Sequence, residues 1–114
     1  MKIVNLSNNQ VVGDNVQQAY TFFKRLKGLM YTKELPSGNG LHIKPCQSVH
    51  SYFMRYPIDV IYINKSQEVV ALDIGLLPNK IGKRRKDAES VIEVTAGTIV
   101  DTDTAIGHQL NIIF

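Results

Sequence analysis

Two apolar runs joined by a polar tetrapeptide constrain the fold of this chain more than any other feature of its sequence. Residues 58–63 (IDVIYI) show little alternation between polar and apolar side chains, which predicts a strand buried on both faces. Residues 64–67 (NKSQ) predict a four-residue hairpin loop. Residues 68–77 then predict the partner strand, in which Gly75 marks a bulge or bend. A β-hairpin with a buried first strand is therefore predicted in the middle of the chain.

One helix and several shorter strands are predicted around this hairpin. Apolar residues recur at helical spacing over about residues 16–27, Asp14 or Asn15 can cap the first turn, and Gly28 suits the end. The predicted apolar stripe consists of Val16, Ala19, Tyr20, Phe23 and Leu26. Further strands are predicted at residues 2–6, 10–12, 41–43, 49–53, 90–95 and 110–114, and one helical turn within 96–104.

These elements predict a single α+β domain over residues 1–114. One main helix (about 16–27) and roughly seven short strands suit a curved, mostly antiparallel sheet or a partly closed β-barrel with the helix packed against it. The chain has 114 residues, of which 44% are hydrophobic and 20% charged, so it can bury one core but not two.

The sequence predicts a cytoplasmic protein that is not attached to a membrane. Cys46 is the only cysteine, so no intrachain disulfide can form, whereas small secreted domains often depend on several. The first ten residues contain no apolar run of signal-peptide length. No segment approaches the about 20 apolar residues that cross a bilayer.

Positive charge is concentrated in one predicted loop, residues 80–86. Five of the 13 basic residues lie there, so the rest of the chain carries 8 basic and 10 acidic residues. The loop could contact nucleic acid or an acidic partner. However, nucleic-acid-binding faces usually spread over several elements, and no aromatic residue is interleaved with this run. We therefore disfavour nucleic acid as a partner and expect a solvated loop.

Three motifs resemble a known family. Residues 25–30 (RLKGLM) resemble an R-x-x-G-L-M signature, and residues 46–60 resemble a central motif with an aromatic–Met pair before an apolar-Asp strand. Residues 91–97 (VIEVTAG) resemble a V-x-E-x-x-A-G segment. The family is DUF192, a domain of unknown function, and the resemblance runs from about Val16 to the C-terminus. It implies a compact α+β domain with a curved sheet and no particular activity. One departure is His108, since members often have Asp after the corresponding glycine.

Two hypotheses for chemistry involve Cys46. His42, Cys46 and His50 are spaced by four residues and, with Asp59, could supply zinc ligands. Pro45 interrupts any helix or strand that would align them, so we expect no metal or other cofactor and instead a buried thiol with hydrogen-bonded histidines. Alternatively, Cys46 could be a nucleophile activated by His50, with Arg25 nearby and Asp59 as the orienting group. The simpler interpretation is again a thiol in the core.

The favoured site is an aromatic patch bracketed by polar groups. Its predicted ligand-binding residues are Arg25, His50, Tyr52, Arg55, Tyr56 and Asp59. A pocket lined by aromatic rings with one or two cations would suit a small anion or a carboxylate-bearing ligand. The alternative is that Asp59 and an arginine form an ion pair that fixes the helix end to the sheet.

The sequence favours a non-catalytic binding or accessory domain that holds a small molecule or a protein segment near the helix C-terminus and residues 46–59. A small enzyme that uses His50 with Asp59 or Cys46 is the alternative, so whether the protein is an enzyme stays open. Nucleic-acid or acidic-partner binding through residues 80–86 is the weakest hypothesis. Glu93 could pair with Asp59 for acid–base chemistry, but an outward-facing Glu93 in an alternating strand is the simpler expectation.

Overall fold

A computed structural model describes residues 1–114 as eight strands and two short helices. The elements are β1 (Lys2–Asn5), β2 (Gln10–Gly13), β3 (Asn15–Ala19), α1 (Phe22–Lys27), β4 (Asn39–Ile43), β5 (Ile58–Ile63), β6 (Val69–Leu76), β7 (Ser90–Thr95), α2 (Thr98–Asp101) and β8 (Leu110–Ile113). The strand order is β2-β1-β8 in one sheet and β3-β4-β7-β5-β6 in the other. Only β3 and β4 pair in parallel, and the sheets do not close into a barrel. The predicted α+β class with a curved, mostly antiparallel sheet is confirmed.

The predicted central hairpin is confirmed. Every residue of β5 is buried, and β5 pairs with β6 on one side and β7 on the other. Ile58 pairs with Leu76 but Val60 pairs with Asp73, so two residues of β6 face one residue of β5. This bulge contains Gly75, whose φ is 65°. The bulge directs the Gly75 N–H toward the side chain of Asp59, the β5 residue between Ile58 and Val60.

The five-stranded sheet is covered on both faces, which explains why its central strands are apolar throughout. Along β7, Val91 belongs to one core cluster and Ile92 to another, because successive side chains point to opposite faces. The first core packs beneath the loops that contain Leu29 and Met54. The second core joins this sheet to the three-stranded sheet, represented by Leu110, and to α2.

The predicted helix over residues 16–27 is correct only from Phe22 onward, and residues 15–19 form β3 instead. Val16 packs in the second core and Ala19 in the first, which is what a three-residue step gives on a strand covered on both faces. The α-helix begins after Thr21, whose hydroxyl accepts a hydrogen bond from the Lys24 N–H at 3.3 Å.

The prediction that α1 packs its apolar side chains against the sheet is also wrong. No residue of α1 is buried, and Phe23 and Leu26 are 78% and 57% exposed. The helix ends at Gly28, where φ is 51°. Neither helix is long and apolar enough to span a membrane.

The strand predicted at residues 49–53 is not formed. This segment makes one isolated bridge, between His50 and Ile81, and it turns at Phe53, where φ is 62°. Its backbone still pairs with the basic loop, because the Ser51 N–H donates to the Lys80 carbonyl at 2.8 Å. The segment is therefore fixed to its neighbours without belonging to either sheet.

Candidate functional site

A groove of about 540 Å³ runs between α1 and the segment that follows β4. The lining residues are Phe22, Arg25 and Leu26 from α1, Ile43, Pro45, Cys46, Gln47, Ser48 and His50 from the facing segment, and Arg84. The Arg25 Nη1 donates a hydrogen bond to the Pro45 carbonyl at 3.3 Å, which ties the end of the helix to the facing segment. The structure thus brings together three residues that the sequence singled out: Arg25, Cys46 and His50.

A second, smaller cavity of about 50 Å³ adjoins this groove and shares Arg25, Cys46 and His50 with it. Its other walls include Gly28, Met30 and the side chain of Glu93. Two polar atoms in this region, the Arg25 Nε and the Glu93 Oε1, are buried without a hydrogen-bond partner. The structure leaves four such side-chain atoms in all, and these two belong to residues that line one cavity.

Glu93 lies where the sequence pattern does not predict it. We expected it to face outward, but it is only 2% exposed. It pairs with Leu41 on β4 and Val60 on β5, so it points into the first core. Burial without a partner raises the pKa of its carboxyl group from 4.5 to about 8. At neutral pH most molecules therefore hold a neutral Glu93, which can donate a hydrogen bond.

The geometry does not support a Cys46–His50 nucleophile pair. The Cys46 thiol donates to the Ser48 carbonyl at 3.0 Å and not to His50. Burial raises the pKa of Cys46, and the carboxylate form of Glu93 raises it further. The His50 Nδ1 accepts a hydrogen bond from the Tyr52 N–H at 3.3 Å, and the His50 ring stacks on that of Tyr52. Cys46 is therefore a neutral thiol.

Asp59 lies on the opposite face of the sheet from this site. Because Val60 pairs with Glu93 and side chains alternate, Asp59 points into the second core, where it is fully buried. Its Oδ1 accepts from the Gly75 N–H at 2.8 Å, and its Oδ2 accepts from the Gly97 and Ile99 N–H groups at 3.1 and 2.9 Å.

The hypotheses that joined Asp59 to His50, Cys46, Glu93 or an arginine are therefore wrong. The two ion pairs in the structure are Lys44–Glu89 and Arg85–Asp73, and Asp59 takes part in neither. Asp59 needs no cationic partner because three backbone N–H groups solvate its carboxylate. Its role is to hold the β6 bulge and the start of α2.

The remaining predicted site residues lie beside the groove and do not line it. Tyr52 is exposed and stacks on His50, while Arg55 is exposed and forms no ion pair. Tyr56 is half-buried, and its hydroxyl is hydrogen-bonded to the Thr32 hydroxyl. Burial raises the pKa of Tyr56. Tyr56 thus fixes the loop after α1 to the segment after β4.

The three spaced ligands of the zinc hypothesis are not brought together. His42 pairs with Ile92 across β4 and β7, so it faces the second core while Cys46 and His50 line the groove. The Tyr20 hydroxyl is hydrogen-bonded to its Nδ1 at 2.6 Å and the Ser90 hydroxyl to its Nε2 at 2.9 Å. No three His, Cys, Asp or Glu side chains are grouped to hold a metal ion.

Residues from all three sequence motifs converge on the small cavity: Arg25, Gly28 and Met30 from the first, Cys46 and His50 from the second, and Glu93 from the third. The family model DUF192, described as "Uncharacterized ACR, COG1430", matches residues 3–112. The chain belongs to the DUF192 family. A UPF0127 protein of Pyrococcus furiosus is similar, with 31% identity over 113 residues that cover 95% of each chain. A UPF0127 protein of Thermococcus sibiricus is 32% identical over 96% of this chain and 73% of its own length.

Two crystal structures share the fold of this DUF192 domain. A protein of unknown function from Novosphingobium aromaticivorans has a TM-score of 0.84 at 18% identity and covers 97% of this chain and 82% of its own. A protein from Sinorhizobium meliloti, described as a candidate transcription regulator, has a TM-score of 0.83 at 20% identity, covering 96% of this chain and 89% of its own. At such identities the likeness concerns the fold alone.

Proposed function

We propose that this DUF192 domain binds a small organic anion, with an apolar body and a carboxylate or similar head group, in the groove between α1 and residues 43–50. One observation carries the proposal: the Arg25 Nε and the Glu93 Oε1 are both buried, both without a partner, and both belong to residues of one cavity that adjoins the groove. A ligand head group would satisfy both atoms. Leaving them unsatisfied costs about 1–3 kcal/mol each, more where the group is charged.

The charges around the groove suit an anion. Arg25 and Arg84 supply guanidinium groups, and Arg84 is exposed apart from its hydrogen bonds to Gln47. Glu93 does not oppose an anion at neutral pH, because its raised pKa keeps the carboxyl group neutral and able to donate. Phe22 and Leu26, which are 64% and 57% exposed, offer apolar surface for the ligand body.

Catalysis is the second candidate function, and Glu93 is the observation that favours it. A carboxyl group with a pKa near 8, lining a cavity with His50, has the properties of a general acid. The neutral thiol of Cys46 and the remoteness of Asp59 favour binding without reaction. Incubation of the protein with its ligand, followed by mass spectrometry, distinguishes the two candidates, since a binding domain returns the ligand unchanged.

The test is a thermal-shift screen with carboxylates of increasing apolar chain length, followed by calorimetry on any compound that raises the melting temperature. Arg25→Met should abolish the shift, whereas Arg55→Met should retain it, because Arg55 is an arginine of the same region that does not line the groove. Glu93→Gln should retain binding because an amide still donates, and Glu93→Leu should weaken it. Equal binding by the Arg25 and Arg55 variants would refute the proposal.

A further inference from the structure

The basic residues of this chain are strongly segregated. Three segments, residues 21–33, 45–57 and 77–86, contain four, one and five basic residues, which is 10 of the 13 in the chain. None of the 10 acidic residues lies in any of them. The remaining sequence therefore holds 3 basic and 10 acidic residues. The partition sets α1 and the neighbouring loops apart from the rest of the sequence, and the one acidic side chain that forms an ion pair with them is that of Asp73, which pairs with Arg85.

The fold joins these three segments into one face, called here the cationic face, with residues 45–57 in the middle. On one side the Gly82 N–H donates to the Val49 carbonyl, and the side chain of Arg84 donates to Gln47. On the other side the Tyr31 N–H donates to the Phe53 carbonyl. The basic run of residues 80–86 is therefore continuous in space with the basic residues of α1 and the loop after it.

The cationic face also holds nearly all of the exposed aromatic side chains. These are Phe22, Phe23, Tyr31, Tyr52 and Phe53, and the only other exposed aromatic residue is Phe114. The rings of Tyr31 and Phe53 stack with centroids 5.3 Å apart, and both residues have positive φ, 66° and 62°. Bulky side chains rarely adopt that conformation, and holding it costs about 1–3 kcal/mol per residue. The fold thus accepts strain at two positions that present rings to solvent.

We propose that the cationic face binds single-stranded nucleic acid, with phosphates against its lysine and arginine side chains and bases stacked on its exposed rings. The cationic face includes Phe22, Arg25 and Arg84 of the groove, but the proposal goes beyond the small-anion site because eight other basic residues and four other exposed rings carry it without Glu93. The sequence alone disfavours nucleic acid because the basic run of residues 80–86 lies in one loop without aromatic residues. In the folded structure, however, two further basic segments and five exposed aromatic rings lie on the same face as this run, so it is neither isolated nor without aromatic neighbours.

Two features favour a nucleic acid over an acidic protein, and a single strand over a duplex. Lysine is depleted at protein–protein interfaces, whereas interfaces with nucleic acid are much more positive, and six of the ten basic residues here are lysines. Major-groove recognition typically uses an inserted helix or a two-stranded ribbon, but α1 has six residues and α2 four. Exposed rings among cations are the arrangement that proteins use for unpaired bases.

The first experiment titrates the full chain against fluorescently labelled oligothymidine and measures anisotropy at low and raised salt. Lys80→Gln/Lys83→Gln/Lys86→Gln should weaken binding about tenfold or more and reduce the salt dependence. The matched control neutralises the three basic residues outside the cationic face, Lys2, Lys44 and Lys65, and should leave affinity within about twofold if location and not total charge governs binding. No binding by the native chain, or equal losses in both triple variants, would overturn the proposal.

The second experiment distinguishes the contribution of base stacking to binding from the contribution of charge. Tyr31→Asn/Phe53→Asn removes two rings while placing residues that tolerate positive φ, and should weaken oligothymidine binding about fivefold or more. Phe114→Asn is the control and should have no effect. The double variant should bind inorganic polyphosphate, which has no bases, as the native chain does. Unchanged oligothymidine affinity in the double variant, tighter binding of a duplex, or tighter binding of polyglutamate would each contradict single-strand recognition. Circular dichroism of each variant confirms that it is folded.

Discussion

Arg25 and Glu93 line the same small cavity, yet they form neither a hydrogen bond nor an ion pair. Glu93 is fixed by the central strand β7, whereas Arg25 is fixed by its hydrogen bond to the Pro45 carbonyl. Because the guanidinium group of Arg25 and the carboxyl group of Glu93 do not bond to each other, both remain able to form hydrogen bonds with a third group. Their separation therefore has consequences for stability as well as for binding.

The first prediction concerns the pH dependence that Glu93 confers on the fold. Its pKa is about 8 in the folded chain and 4.5 in a freely solvated carboxyl group, so the folded state binds the proton more tightly. Between these two values the unfolded chain has lost the proton and the folded chain has kept it. The contribution of Glu93 to the free energy of unfolding should therefore fall as pH rises from about 4.5 to about 8, by about 1.4 kcal/mol per pH unit.

Glu93→Gln should remove this dependence, because an amide does not titrate. Urea denaturation of the native chain and the variant at several pH values checks the prediction, and the difference between them should grow in favour of the variant up to about pH 8. Glu68→Gln is the matched control, since Glu68 is exposed. A constant difference between native chain and Glu93 variant across the range would show that Glu93 titrates normally.

The second prediction concerns His42, whose contribution has the opposite sign. Burial, and secondarily the charge of Lys44, lowers the pKa of His42 from 6.5 to about 4. As pH falls below 6.5, the His42 side chain is protonated in the unfolded chain but stays neutral in the folded chain. The contribution of His42 to the free energy of unfolding therefore falls between about pH 6.5 and 4. The effects of Glu93 and His42 oppose each other between pH 4.5 and 6.5.

The pH dependence of the native chain alone therefore does not isolate the contribution of His42, and a comparison with a variant is needed. His42→Gln keeps a polar side chain near the Tyr20 and Ser90 hydroxyls but cannot be protonated. Relative to this variant, the native chain should lose about 1.4 kcal/mol per pH unit on acidification below pH 6.5. Denaturation at pH 7 and pH 5 measures the change, and an NMR titration of the His42 ring gives its pKa directly. Parallel pH profiles of the two proteins would disprove the assignment.

The sequence predicted those elements whose pattern has a single physical interpretation. The unbroken apolar run of residues 58–63 has one simple explanation, a strand covered on both faces, and β5 is that strand. The three-residue step from Val16 to Ala19 has two explanations. It fits one face of a helix, but it also fits two opposite faces of a strand when both are buried. Which applies depends on whether other elements cover the sheet, and local sequence does not contain that information.

The sequence predicts only some residues of the candidate site, because the burial of the others depends on which elements cover the sheet. The positions of Arg25, Cys46 and His50 around one groove follow from a helix end lying beside the segment after β4. An alternating pattern predicts one solvated face of the sheet, and so an outward-facing Glu93. However, its strand neighbours Val91, Ile92 and Val94 are apolar on both faces, which is the signal that identifies a fully buried strand. A carboxyl group within such a strand is therefore expected to be buried.

The third prediction concerns Asp59, which we interpret as structural. Asp59→Ala would leave three backbone N–H groups without their acceptor: the buried one of Ile99 and the part-buried ones of Gly75 and Gly97. Each lost acceptor costs about 1–3 kcal/mol, so we expect the free energy of unfolding to fall by about 3 kcal/mol or more. Asp59→Asn keeps one acceptor oxygen and should lose less, and the exposed Asp87→Ala should lose little.

A binding measurement then distinguishes structure from function at Asp59. Because Asp59 lies on the opposite face of the sheet from the groove, Asp59→Asn should bind oligothymidine and any small-anion ligand with native affinity whenever it is folded. Loss of ligand binding in a folded Asp59→Asn variant would show that Asp59 belongs to the binding site, contrary to the geometry.

The fourth prediction compares two adjacent arginines of the basic run. The Arg85 Nη2 donates to the Asp73 Oδ1 at 2.8 Å, and the Tyr62 hydroxyl donates to the Asp73 Oδ2 at 2.6 Å. The Arg85 guanidinium also lies 5.4 Å from the centre of the Tyr62 ring. Arg84, by contrast, is exposed and bonds through its side chain to Gln47 alone.

Arg85→Met should therefore lower the free energy of unfolding by about 1–3 kcal/mol, because Asp73 keeps its charge but loses its cation. Arg84→Met should change it by less than about 0.5 kcal/mol, since it removes only an exposed contact. Urea denaturation of both variants provides the comparison. Similar losses would mean that the ion pair between Arg85 and Asp73 stabilises the fold no more than the exposed contact between Arg84 and Gln47.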